Sequence, residues 1–136
     1  MELWPLRAFL PGAMAFATIT AAALFALCPE GPRTTCVVDG DTFWLAGEKI
    51  RMADINAPET HGAQCPDERQ RGEAATRRLI VLLNAGPFEL VEGTRSHDRY
   101  GRRLATVTRR GQSIGQVLVS EGLAETWKGR RSGWCS

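Results

Sequence analysis

One stretch, Val37 to Glu59, constrains this chain more than any other. It reads as a strand (Val37, Val38), an acidic turn (Asp39, Gly40, Asp41, Thr42), a second strand (Phe43 to Leu45), a tight turn at Gly47 and a third strand (Ile50 to Ile55). Asn56, Ala57, Pro58 and Glu59 follow. The β-branched and aromatic residues on both sides of Ala46, Gly47 and Glu48 are a hairpin signal. Pro58 cannot donate to a ladder and ends the pairing. Side chains alternate along a straight strand, so Arg51, Ala53 and Ile55 are expected on one face and Met52, Asp54 and Asn56 on the other. Such dense charge around an apolar strand pair points to a site for metal and phosphate.

Downstream, His61 to Asp67 is a loop by composition. From Pro66 to Asn84 the apolar residues Ala75, Leu79, Leu82 and Leu83 recur at helical spacing, and Asn84, Ala85, Gly86 and Pro87 stop the helix. Arg69, Arg71, Arg77 and Arg78 form its wet side. Phe88 to Glu92 and Leu104 to Thr108 read as strands. Between them runs the charged loop Ser96-His97-Asp98-Arg99-Tyr100-Gly101-Arg102, a type of segment that often carries function. Ser113 is placed to cap a short helix with Ile114, Val117 and Leu118 inward, ended by Gly122. The order β, β, β, α, β, β, α predicts an α+β domain built as a small OB-like barrel with packed helices.

The chain has 136 residues, enough for one domain. No charged residue occurs from Ala8 to Leu27, and Arg7 precedes the run. Residues 1–27 are therefore expected to be a signal peptide, for which Ala21 and Ala23 suit the cleavage site, or an N-terminal membrane anchor, and to add nothing to the core. Either implies a secreted or periplasmic location, or a membrane anchor facing outside the cytoplasm. The four cysteines agree, since two disulfides suit an oxidising compartment and no Cys-x-x-Cys pair suggests zinc. Of three pairings, Cys28–Cys36 brackets the approach to the first strand. Cys65–Cys135 then ties the loop after Glu59 to the tail, residues 128–136. The net charge of +2 is too mild to prove a polyanion partner, so the placement of charges matters more.

Phosphodiester hydrolysis needs positive charge on the phosphate, an activated water and help for the leaving oxygen. Asp41, backed by Asp39 and met by Asn56, offers oxygen ligands of the kind Ca²⁺ prefers. Arg51 and Arg102 offer guanidinium forks for phosphate oxygens. Glu59, beyond the ladder, is placed to serve as a general base. His61 and His97 lack a zinc-type partner, Trp44 is expected to pack on the sheet, and Trp134 beside Cys135. Trp127 is a candidate platform for a base.

Together these residues resemble the staphylococcal nuclease (thermonuclease) family. The motifs are Val37-Val38-Asp39-Gly40-Asp41-Thr42, Ile50-Arg51-Met52-Ala53-Asp54-Ile55-Asn56-Ala57-Pro58-Glu59, Gly72-Glu73-Ala74, Asp98-Arg99-Tyr100-Gly101-Arg102 and Leu118-Val119-Ser120-Glu121-Gly122-Leu123-Ala124. The resemblance covers residues 36–127, which sets the expected boundaries of the nuclease-like OB-fold domain, a five-stranded β-barrel in that family. It implies a Ca²⁺-dependent endonuclease acting on DNA and RNA, single strands preferred, that leaves 3′-phosphate ends. It further implies Arg51 and Arg102 as phosphate-binding residues, Glu59 as base, Asp41 as metal ligand, Ala57 as a ligand through its carbonyl, and Tyr100 in the nucleotide pocket. A monomer is expected. Asn56 departs from the pattern, which has a carboxylate there; an amide oxygen can coordinate Ca²⁺ but brings no charge. Asp54, two residues earlier on the same strand face, is expected either as a compensating carboxylate behind the metal, together with Asp39, or as a solvated strand residue. A catalytically weakened module that binds nucleic acid or protein is the competing reading.

Overall fold

Ala46 and Gly47 both take positive φ, 51° and 86°, the backbone pair that closes a two-residue hairpin matched to strand twist. They join β3 (Thr42–Leu45) to β4 (Glu48–Met52), with Leu45 opposite Glu48 and Thr42 opposite Arg51. The computed structural model describes residues 24–135 and the backbone of 17–19. Around that hairpin it places β1 (Ala17–Ile19), β2 (Cys36–Asp39), β5 (Ile55–Asn56), α1 (Pro66–Asn84), β6 (Phe88–Val91), β7 (Arg103–Arg109), β8 (Gln112–Ser113), α2 (Ile114–Ser120) and β9 (Glu125–Thr126).

The mixed sheet runs β1-β6-β7-β4-β3-β2, with β8 on β7, and a separate pair joins β5 to β9. Among the ladders between the described strands, only β4–β7 is parallel, with Arg51 beside Leu104. The domain is thus α+β and OB-like, as expected, with seven strands in the main sheet and no ladder closing it into a ring among the described residues. Phe43, Ile50, Met52, Val107, Leu79 and Leu118 fill the core between sheet and helices.

The first helix has the predicted bounds, and its start is over-determined. The Cys65 sulfur accepts from Glu68 N, Pro66 opens the helix, and Asp67 and Glu68 lie in the first turn, where negative charge favours the helix dipole. Ser113 caps α2 by accepting from Gln116 N at 3.1 Å. Both expected bridges form, Cys28–Cys36 and Cys65–Cys135.

Two expectations are corrected. The third strand does not run straight to Ile55, because the chain turns at Ala53 and Asp54. Ala53 N donates to Ala105 O, and Trp127 N donates to Asp54 O, each at 2.9 Å. The predicted alternation therefore breaks, and Arg51 and Met52 are both buried. The folded domain also begins before residue 28. Phe25 is 4% exposed and packs on Phe43 and Phe88 with ring centroids 5.8 and 6.0 Å away, while its backbone N donates to Asn84 Oδ1 at 2.7 Å. The remainder of the expected export segment lies mostly outside the described residues, although the backbone of Ala17–Ile19 pairs with β6. Among the described residues, no helix is long and apolar enough to cross a membrane.

Candidate active site

The acidic turn between β2 and β3 faces the bend between β4 and β5. Asp41 is 5% exposed, and both its carboxylate oxygens are engaged. Thr42 Oγ1 donates to Oδ1 at 3.0 Å, Ala57 N donates to Oδ2 at 2.8 Å, and Arg51 Nη2 lies 3.5 Å from Oδ2. Asp39 is 8% exposed, and its Oδ1 accepts from Asp41 N at 3.3 Å. Burial, then the neighbouring charges of Asp41 and Glu59, push the Asp39 carboxyl well above the ordinary carboxylate range. Gly40 lets this turn dock: an added Cβ there would stand 2.7 Å from the Ala75 Cβ and 2.8 Å from the Ala57 Cβ.

Arg51 is turned inward. Its Nη1 donates to the carbonyls of Met52 and Ile55 at 2.5 and 2.9 Å, so the guanidinium pins the bend that carries Asn56 and Ala57. The Trp127 ring lies 5.6 Å from it, within reach of a cation–π contact. Arg102 sits in the loop before β7, where Asp98 holds it. The Asp98 Oδ1 accepts from the backbone N of Tyr100 and of Arg102 at 2.9 Å, and Oδ2 accepts from Arg102 Nε at 2.6 Å. Burial pushes the Asp98 carboxyl up, but those donors outweigh it and hold the group below the ordinary range. Arg51, Arg102, Tyr100 and Trp127 line one open cleft of about 800 Å³, which also takes in Arg95 and Arg131.

Glu59 stands on the loop leading to α1, and α1 holds its backbone. Glu68, 6% exposed, accepts from Glu59 N at 3.1 Å and from Gln64 N at 2.9 Å. The Glu59 side chain pairs with Arg131 of the C-terminal segment.

One candidate is not where the sequence expectation put it. Asp54 does not lean toward Asp41: its Oδ2 accepts from Ser113 Oγ at 2.5 Å, and an added Cβ on Gly115 would stand 2.9 Å from its Oδ1. Its Oδ2 is held at the start of α2 and not turned to the acidic turn. Asn56 is 1% exposed and faces β9, its Nδ2 donating to Glu125 Oε1 at 3.1 Å. His61 and His97 are exposed loop residues. Trp44 is half-buried and Trp134 partly buried.

The residues fit a hard cation, weakly. Two buried carboxylates adjoin, one of them pushed toward its neutral form, and Asn56 Oδ1 is buried with no hydrogen-bond donor. An orphaned amide oxygen beside two adjoining carboxylates is what an oxygen-liganded cation relieves. Against this, no cluster of three or more His, Cys, Asp or Glu converges among the described residues. Asp41, the Asn56 amide and the Ala57 carbonyl would hold the ion with little formal charge.

Sequence reasoning missed Asp98 as the brace of Arg102, Glu68 as the support of the Glu59 backbone, and Arg131 as the partner of the Glu59 side chain. Asp98 was legible, since it lies four residues before Arg102 in a tight loop. The others depend on contacts far apart in the chain.

A family model described as staphylococcal nuclease homologue matches residues 49–133. Endonuclease YncB of Bacillus subtilis is 37% identical over 95 residues, covering 64% of this chain and 43% of its own. The SPbeta prophage-derived endonuclease YokF of Bacillus subtilis is 37% identical over 95 residues, covering 64% and 31%. Succinoglycan biosynthesis protein ExoI of Rhizobium meliloti is 33% identical over 93 residues, covering 65% and 48%. The chain thus spans less than half the length of each of these relatives. The matched span begins after Asp39 and Asp41, yet the fold returns Asp41 to the arginine bend. The chain belongs to the staphylococcal nuclease homologue family.

Proposed function

We propose that this protein is an exported endonuclease that hydrolyses phosphodiester bonds of DNA and RNA with Ca²⁺, leaving 3′-phosphate ends. The observation that carries the reading is the convergence of Arg51, Asp41 and Ala57 at one bend, beside the cleft shared by Arg102, Tyr100 and Trp127. Arg102, braced by Asp98, binds the scissile phosphate from the rim; Arg51 supports it from beneath. Glu59 takes a proton from water on its carboxylate. The water oxygen bonds to phosphorus, and the bond to the 5′ oxygen breaks. The departing oxygen gains its proton from solvent. Tyr100, 69% exposed, and Trp127, 38% exposed, offer faces on which unpaired bases stack, which favours single strands. A Ca²⁺ ion held by Asp41, Asn56 and the Ala57 carbonyl, with Asp39 behind, would supply charge stabilisation for the phosphate oxygens. The two disulfides support export.

Digestion of plasmid and of labelled RNA with Ca²⁺, and with chelator in its place, tests the reading. Cleavage that needs Ca²⁺ and yields 3′-phosphate ends is expected. Equal cleavage in chelator removes the metal; none in either favours the competing reading of a weakened binding module, for which Asn56 in place of a carboxylate speaks.

A further inference from the structure

The C-terminal segment does not leave the domain after β9. Glu125 and Thr126 pair with Asn56 and Ile55, Ser132 N donates to Glu125 Oε1 at 3.3 Å, and Cys135 is bridged to Cys65 at the start of α1. Chain fixed at both ends has little freedom, so Arg131, between those anchors, is held over the acidic turn. Its Nη1 meets Glu59 Oε1, while its side chain stays 52% exposed and lines the cleft with Arg51, Arg102 and Trp127. Burial alone would lower the Arg131 pKa, yet Glu59, with Asp41 and Asp39 behind it, raises it above the ordinary value. Among the described residues Glu59 is its one hydrogen-bonding partner, which leaves most donors of a five-donor fork unused. Structural ion pairs normally use such a fork more fully, as Arg78 does with Glu121 through Nε and Nη2 at 2.7 and 2.8 Å.

We propose that Arg131 is a third substrate-binding arginine, which pairs with Glu59 in the free protein and binds a backbone phosphate of the nucleic acid in the complex, held in place by the Cys65–Cys135 bridge. The inference rests on the nuclease reading of the same site. Exchange of partners couples binding to chemistry, because the phosphate that takes Arg131 frees Glu59 Oε1. It also makes the site complete only in oxidised protein. Without the bridge the tail beyond β9 is left with the Trp127 N–Asp54 O and Ser132 N–Glu125 Oε1 hydrogen bonds and the Arg131–Glu59 pair, and its end is untied.

The test is equilibrium binding of a labelled single-stranded DNA oligonucleotide in chelator, where nothing is cleaved, over a series of salt concentrations. Arg131→Ala is expected to bind about tenfold more weakly, as loss of one charged hydrogen bond implies. Its log–log salt slope should be shallower by about 0.7, the share of one phosphate contact on a single strand. Arg131→Lys should keep the slope. The Cys65→Ser, Cys135→Ser double variant should lose as much as Arg131→Ala, and adding Arg131→Ala to it should lose no more. If that double variant fails to fold, Arg131→Ala, whose bridge is intact, decides alone. Unchanged affinity and slope in Arg131→Ala, with Arg102→Ala weakened, overturns the inference and leaves the nuclease reading standing. Tighter binding would make Arg131 a shield and overturn it too. A wild-type protein that binds no oligonucleotide overturns both.

Discussion

Gly72 lies so close to Glu59 that a Cβ added to it would stand 2.7 Å from the Glu59 carbonyl oxygen and 2.8 Å from that of Pro58. Both neighbours are backbone, which cannot swing aside as a side chain can. The glycine therefore sets how near α1 approaches the loop that presents Glu59, the proposed base. Gly72→Ala should move Glu59 by a fraction of an ångström to an ångström and lower kcat about a hundredfold, the usual cost of such misplacement. Steady-state kinetics on a short oligonucleotide measure this; a variant with native kcat would show that Glu59 tolerates the shift.

Asp98→Asn should loosen Arg102 and cut kcat/KM about tenfold through the lost charged hydrogen bond. The same pair gives a pH signature. The folded Asp98 carboxyl titrates below its unfolded value because the Arg102 and Tyr100 donors outweigh burial. Its stabilising contribution is therefore complete above the unfolded pKa of about 3.9 and is lost as pH falls through the folded value. Thermal melts should show wild type above Asp98→Asn at pH 7, with the gap closing below about pH 4. A gap that persists in acid would assign the difference to packing.

The hairpin, the first helix, the Ser113 cap and the Cys28–Cys36 bridge, closed over a sequence separation of 8, were legible because each is written in local chemistry. Turn residues, helical spacing, a capping hydroxyl and the bracketing of elements by cysteines need no distant partner. The bend at Ala53 and Asp54 was not legible. It is held by Ala105 and Trp127, far along the chain, and by the Arg51 fork closing on the Met52 and Ile55 carbonyls. That single turn sends Asp54 toward Ser113 instead of the acidic turn, and it lays Asn56 against Glu125. Arg131 read as part of a polar tail because only the fold brings it back to Glu59.

Phe25 gives a test of where the domain begins. Phe25→Ala should cost about 3–5 kcal/mol, the range for a buried aromatic truncated in a core. Urea unfolding of protein beginning at Leu24 would measure it, and stability within error of wild type would return this residue to the export segment.

At Asn56 the opposing demands are separable. An Asp in its place would set a carboxylate against Glu125 Oε1, which now accepts the amide at 3.1 Å. Asn56→Asp should therefore melt lower than wild type in chelator. With Ca²⁺ it should gain more, because added ligand charge raises affinity by about tenfold or more. Calorimetric Ca²⁺ titration and paired melts check both signs, and equal responses would place residue 56 outside the metal shell.

The central claim is that Glu59 activates water at the site made by Arg51, Asp41 and Arg102. Its most direct measurement is kcat of Glu59→Gln at saturating single-stranded DNA with Ca²⁺, alongside the Kd of the same oligonucleotide in chelator. A fall in kcat of about 10²- to 10⁴-fold, with Kd changed little, is the predicted result. A native kcat would contradict the account, and water would then be activated elsewhere.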